Sequence, residues 1–225
     1  MASKTLTAFL SLVFSRPAAE LVDLGPVVGS NIAFLGERIG CKIHVEDLYA
    51  DLDRHARLDT LDEVPKFLGA RFALPDESVD AVLGWDVFDY LAPAAAGVLA
   101  GELMRMLRPG GVLLAFFGGR GPGDLRYTKY VIEDEAHIRY RFYATACRRQ
   151  PVLENRDIIK LFAGLDVSDS LLLKSGVREV LFRKPDRGDM GAPTWPPSPP
   201  RSARPGGAAA RLVNPTGSWR PGTPA

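Results

Sequence analysis

Residues 19–46 read AELVDLGPVVGSNIAFLGERIGCKIHVE. A short apolar run, Ala19 to Val22, ends in Asp23 and a turn that contains Gly25 and Gly29. Helical patterning follows from Ser30 to Ile39, and a second apolar run, Lys42 to Val45, ends in Glu46, 21 residues after Gly25. This is the strand–turn–helix–strand–acid order of a nucleoside-binding Rossmann-type half. A glycine lets the backbone turn sharply and approach a ligand closely. An acid at the end of the second strand can accept hydrogen bonds from both hydroxyls of a ribose. The turn lacks the full G-x-G-x-x-G of dinucleotide enzymes, so NAD is the less favoured nucleoside.

Two later segments narrow the reading. Residues 71–91 are RFALPDESVDAVLGWDVFDYL and residues 102–114 are ELMRMLRPGGVLL. Leu103, Met104 and Leu107 make an apolar helical face that Pro109 and Gly110 bring to a stop. Val112 to Phe117 is a continuous apolar run, as expected of a strand buried on both faces. These segments, in this order after the first turn, resemble class I S-adenosylmethionine-dependent methyltransferases. The parallels are the family's L-P-D-E-S-F-D-x-V before its fourth strand and E-L-x-R-x-L-R-P-G-G before its fifth. The resemblance is close over residues 20–118 and looser to residue 184.

The resemblance implies S-adenosylmethionine as cofactor and a set of donor contacts. Asp23 and the loop from Gly25 to Gly29 would hold the methionine part. Glu46 would bind the ribose, with Asp47 as the neighbour able to substitute. Phe72 and Ala73 fall where the adenine would rest, and Asp86 follows the fourth strand beside the methyl site. The sulfonium is already activated, so the protein mainly holds donor and acceptor in line and excludes water. An oxygen or nitrogen acceptor can still need a general base. Asp86 is the catalytic candidate, with Asp89 and His137 behind it; capping the following turn is the structural alternative for Asp86. One position departs from the family. Val27 stands where the loop usually has a glycine. Its side chain either meets the donor or is steered by Pro26 into the sheet–helix core.

The fold class expected is α/β: a doubly wound, Rossmann-like, mostly parallel sheet with an antiparallel last strand and a β-hairpin inserted after the fifth strand. Strands are expected at 20–24, 42–46, 79–84 and 112–117, and helices at 30–39, 93–107 and 155–163, the last capped by Asn155. Leu165–Lys174 and Val177–Lys184 are joined only by Ser175-Gly176, so they must run antiparallel. The family's third strand would fall in Leu61–Ala73, which contains Pro65, and is expected to be very short or absent. Residues 126–132 and 137–143 alternate and are rich in aromatics, which suggests a hairpin over the ligand edge of the sheet. Its Tyr and Arg residues either line an acceptor pocket or simply pack a hairpin face.

Residues 1–184 form the expected domain. From Pro185 to Ala225 the chain holds ten of its eighteen prolines with little aliphatic content, a composition that cannot offset its ordering entropy. Trp195 and Trp219 in this tail are possible docking anchors, although a plain solvated extension is the simpler account. The apolar fraction of 46% suffices for a full core, and a net charge of +1 gives no reason to expect nucleic acid. Two cysteines and three histidines make no disulfide framework or metal cluster, and Cys41 is read as a small buried hydrophobe. Residues 4–14 are read as an amphipathic helix packed on the sheet rather than a signal peptide. No apolar run is long enough to span a membrane, and the expected compartment is the cytoplasm. Two functions are carried forward. The first is a methyltransferase acting on a small-molecule acceptor. The second is a catalytically silent relative that acts as a binding or interaction module.

Overall fold

The computed structural model describes residues 1–39, 42–118 and 123–186. Cys41, the Gly-rich start of the insertion and the tail with its two tryptophans lie outside them. The helices are α1 (Lys4–Phe14), α2 (Gly29–Ile39), α3 (Leu48–Arg57), α4 (Val64–Arg71), α5 (Pro93–Met106) and α6 (Asn155–Leu161). The strands are β1 (Glu20–Asp23), β2 (Lys42–Val45), β3 (Val79–Trp85), β4 (Leu107–Gly118), β5 (Arg126–Ile132), β6 (Ile138–Ala144), β7 (Asp166–Leu172) and β8 (Val177–Arg183).

Six strands form one sheet in the order β2-β1-β3-β4-β8-β7. The first four run parallel, and β8 is antiparallel to both β4 and β7. Both faces of the central strands are covered, which is why they read as unbroken apolar runs. Val22, Val82, Leu113 and Phe117 pack towards α3, α4 and α5. Leu21, Leu83, Leu114 and Phe116 pack towards α1. Helix α1 buries Leu6, Phe9, Leu10 and Val13, spaced as one helical face, and the Ser3 hydroxyl caps it by accepting from the Leu6 N–H at 3.1 Å. The expectation of a helix packed on the sheet is met.

The segment Leu61–Ala73 contains no strand. It forms a 3-10 turn at Leu61–Glu63 and then α4, with Pro65 in the first helical turn, where its missing N–H costs nothing. Two expectations are corrected in detail. Leu107 is not on the helix but begins β4. Asn155 is the first residue of α6, and Glu154 occupies the cap position without a side-chain cap bond.

Strands β5 and β6 make the expected hairpin as a separate two-stranded sheet. It is tied down at two places. The Asn31 side chain on α2 donates to the Tyr130 carbonyl at 3.0 Å and accepts from the Ile132 N–H at 2.8 Å. Residues 1–3 pair with the turn and the start of β6 through Ser3 N–H to Ala136 O and Ile138 N–H to Met1 O, both 2.8 Å. Asn31 is buried, so both polar ends of its amide are satisfied only while β5 lies across the start of α2.

Candidate functional site

The carboxyl ends of β1, β2, β3 and β4 meet at the edge where a doubly wound sheet binds its ligands. The four ends are not alike. At the end of β1, Asp23 is buried. Its Oδ1 accepts from the Gly25 N–H at 2.9 Å and from the Trp85 indole N–H at 2.6 Å. Burial pushes the Asp23 carboxyl up to about 6 against the pull of these two donors. Gly25 has no room for a side chain, because a Cβ there would lie 2.7 Å from the Trp85 ring. The close approach that glycine permits at this turn is therefore used by the protein's own indole. Trp85 sits at φ 46°, a left-handed conformation that is an outlier for a bulky residue, and the β3–β4 register shifts beside it. The ring is held by an almost parallel stack on Tyr130 at 5.0 Å and an edge contact to Phe116 at 5.7 Å.

At the end of β2, Glu46 is partly buried and its Oε2 meets the Arg71 Nη1 at 2.6 Å. Arg71, from the last turn of α4, also reaches the Glu46 carbonyl at 3.1 Å and Asp51 at 3.3 Å. Asp47 has a left-handed φ of 33° and caps α3 through the Ala50 N–H at 3.2 Å. Phe72 is buried in the core while Ala73 is exposed. Val27 is 55% exposed, so it neither enters the sheet–helix core, as the Pro26 argument expected, nor fills the cradle. The crowding that sequence places at Val27 comes from Trp85.

Beyond β3 and β4 the arrangement is different. A cavity of 160 Å³ opens between the strand ends and the inner face of the hairpin, lined by Asp86, Thr128, Tyr130, Tyr140, Phe142 and Arg149 among others. Arg149 is buried, with its Nη1 3.1 Å from Asp86 Oδ2 and its Nη2 bonded to Asp89 Oδ2 and, at 2.9 Å, to the Gly118 carbonyl. Asp86 also accepts from the Tyr49 hydroxyl at 2.5 Å and the Thr128 hydroxyl at 3.0 Å. Burial pushes Asp89 up to about 7 even though the Arg149 charge opposes it, and its Oδ1 has no partner among the described residues. His137 is remote from this group: it lies in the hairpin turn, bonded to Asp134 at 2.9 Å.

The structure thus brings Asp23, Gly25 and Glu46 to one edge, as the sequence order implied, and places Asp86 at a cavity wall. Sequence reading missed Trp85, Arg71, Tyr49, Thr128 and Arg149. Nothing in the local pattern marks Arg149, which is one of two adjacent arginines after the hairpin. Trp85 falls just past the strand expected at 79–84, with nothing in the local pattern to set it apart.

Residues 22–115 match the family described as methyltransferase domain. That match spans 94 of the 225 residues and agrees with the resemblance read from the sequence. No curated protein matches the chain. Among solved structures, the chain is similar to a Burkholderia thailandensis 1,6-didemethyltoxoflavin-N1-methyltransferase with bound 1,6-didemethyltoxoflavin and S-adenosylhomocysteine. The identity is 20%, over 81% of this chain and 78% of that one, with a TM-score of 0.49. It is also similar to an S-adenosylmethionine-dependent methyltransferase from Mesorhizobium loti, at 12% identity over 80% and 95% of the two chains and a TM-score of 0.49. A putative sarcosine dimethylglycine methyltransferase from Galdieria sulphuraria matches at 14% identity over 80% of each chain, also at 0.49. Among the described residues, no helix is long and apolar enough to cross a membrane, and no cluster of metal-ligating side chains occurs.

The two halves of the methyltransferase cradle fit the family's donor differently. The ribose half fits: Glu46 is at the strand end, and giving up its ion pair with Arg71 would free it to receive hydroxyls. The methionine half, in this conformation, is filled by the Trp85 indole against Gly25 and Asp23.

Proposed function

We propose that the protein is an S-adenosylmethionine-dependent methyltransferase whose donor cradle is closed by its own side chains, and that its acceptor is a small molecule held under the hairpin. The observation that carries this reading is the pairing of a family-type cradle with an adjacent cavity. Asp23, Gly25 and Glu46 lie at one end of the edge, and the aromatic-lined space with Asp86 and Arg149 at its wall lies at the other. When bound, the donor supplies an activated methyl group.

The chain's own residues bind, orient and exclude water. Glu46 would take the ribose hydroxyls in place of Arg71, and Asp47 stands beside it. Phe72 and Ala73 border the adenine side. Tyr130, Tyr140 and Phe142 would clamp a flat, largely apolar acceptor. Asp86 would accept a hydrogen bond from a hydroxyl or amine of the acceptor at Oδ2, in place of the Thr128 hydroxyl. Arg149 holds that carboxylate in position. Asp89, pushed up to about 7 by burial, shares Arg149 with Asp86 but does not line the cavity, which leaves Asp86 as the carboxylate in reach of the acceptor.

The second reading, a silent relative, is favoured by the Trp85 packing and by the Arg71–Glu46 pair, since each occupies a donor contact. Calorimetric titration with S-adenosylhomocysteine separates the two. The enzyme reading expects saturable binding to the parent chain that Glu46→Ala weakens about tenfold, the loss of one or two hydrogen bonds to a charged group. No binding to either the parent or Trp85→Ala would establish the silent relative.

A further inference from the structure

The hairpin has a second face, turned away from the acceptor cavity. In its register Lys129 stands directly opposite Arg141, Val131 opposite Arg139, and Tyr127 opposite Tyr143. Three cations therefore share one face of a two-stranded sheet. Arg139 pairs with Glu133 at 3.2 Å. Lys129 and Arg141 have no carboxylate within ion-pair distance among the described residues. Like charges directly opposite on a sheet repel and destabilise it. Among the described residues, the hairpin forms a two-stranded sheet, so no third strand shares that cost at Lys129 and Arg141.

These side chains enclose a second cavity of 230 Å³, bounded by Lys129, Arg139, Arg141 and Tyr143 on the hairpin and by Ser30 on α2. Ser30 is in the first turn of α2, a helix of 11 residues with no acidic residue in that turn. The positive end of the helix thus adds to the hairpin cations rather than opposing them. At the rim, Tyr143 is stacked on Tyr127 at 5.6 Å and is 41% exposed, which gives a flat surface beside the charge.

We propose that this cavity binds a phosphate-bearing anion, bridged between Lys129 and Arg141. A doubly charged phosphate converts the repulsive cross-strand pair into two attractive contacts, and an arginine fork suits its oxygens. The site lies on the face of the hairpin opposite Asp86 and meets the donor loop only where Ser30 follows Gly29.

Isothermal titration of the full chain at low salt with inorganic phosphate, pyrophosphate, ribose 5-phosphate and uridine monophosphate reads the site. Saturable binding at one site is expected. Lys129→Gln and Arg141→Gln should each weaken it about tenfold, and Glu46→Ala should leave it unchanged. If the organic phosphates bind more tightly than pyrophosphate and lose that advantage in Tyr143→Ala, the ligand is a phosphate ester. If all bind alike, the bare anion is what is recognised. Lys129→Glu provides a check on folding: it should raise Tm in phosphate-free buffer, by pairing with Arg141, and remove the stabilisation by phosphate. The proposal is overturned by no saturable binding, by binding that survives the Lys129→Gln/Arg141→Gln double variant, or by a lower Tm for Lys129→Glu. It is also overturned if only a long single-stranded oligonucleotide binds, with the steep salt dependence of a diffuse polycation surface.

Discussion

The strand ends of β1 and β2 are closed, while those of β3 and β4 open onto a cavity. Both belong to one sheet edge, and both are built from acids that face arginines or hydrogen-bond donors. The difference lies in what fills the space. At β1 an indole occupies the room that Gly25 leaves, and at β2 an arginine from α4 occupies the acid. At β3 and β4, Arg149 pairs with Asp86 and Asp89, and the cavity that Asp86 and Arg149 line stays open. On the proposed reading, the sheet edge offers an acceptor side that is preformed and a donor side that has to be opened.

The largest expected effect concerns the open side. Arg149→Ala leaves two buried carboxylates without their cation, so it should cost about 3 to 5 kcal/mol of stability, read by chemical denaturation. A loss below about 1 kcal/mol would mean that water replaces the guanidinium and that the cavity floor is not preformed.

The closed side should respond to pH. Burial raises Asp23 to about 6 in the folded state, above its ordinary value of 3.8. Its contribution to stability is thus fully present below the unfolded value and is lost as pH rises through about 6. Asp23→Asn keeps an acceptor for Trp85 and Gly25 without the charge. Its stability relative to the parent should therefore climb between pH 4.5 and 7, by up to ~3 kcal/mol at full shift. A difference that is flat with pH would place the Asp23 charge in contact with solvent, contrary to its burial beneath the indole.

A smaller effect sharpens the comparison at β2. Arg71→Gln frees Glu46 and should tighten S-adenosylhomocysteine binding a few-fold, with a stability cost of about 1 kcal/mol because the pair is only partly buried. Weaker binding in this variant would show that Arg71 helps the ligand rather than blocking it.

Much of the architecture was legible because it is written in short-range pattern. Residues 79–84 read as a strand and Val112 to Phe117 as one buried on both faces, Ser175-Gly176 forces the β7–β8 reversal, and the alternation of residues 126–132 and 137–143 marks the hairpin. The acid at Glu46 follows from its distance to Gly25. The occupants of the cradle were not legible, since each is brought there by long-range packing. Trp85 is 60 residues from Gly25, and Arg71 is 25 residues from Glu46. No local rule states that a strand-end tryptophan will take a left-handed φ and turn onto another strand's loop. Val27 illustrates the converse: the sequence flags an unusual residue, but the backbone path around Pro26 leaves it in solvent.

The central claim is that Trp85 closes the donor cradle and must leave it for the donor to enter. The chain has three tryptophans, and Trp195→Phe with Trp219→Phe leaves Trp85 as the only indole reporter. Its fluorescence, followed while S-adenosylhomocysteine is added, tests the claim directly. The account predicts a saturable red shift of the emission, as a buried ring that is hydrogen-bonded to Asp23 and stacked on Tyr130 moves towards water, with the same midpoint as calorimetric binding. S-adenosylhomocysteine that binds by calorimetry while the Trp85 emission stays unchanged would contradict it.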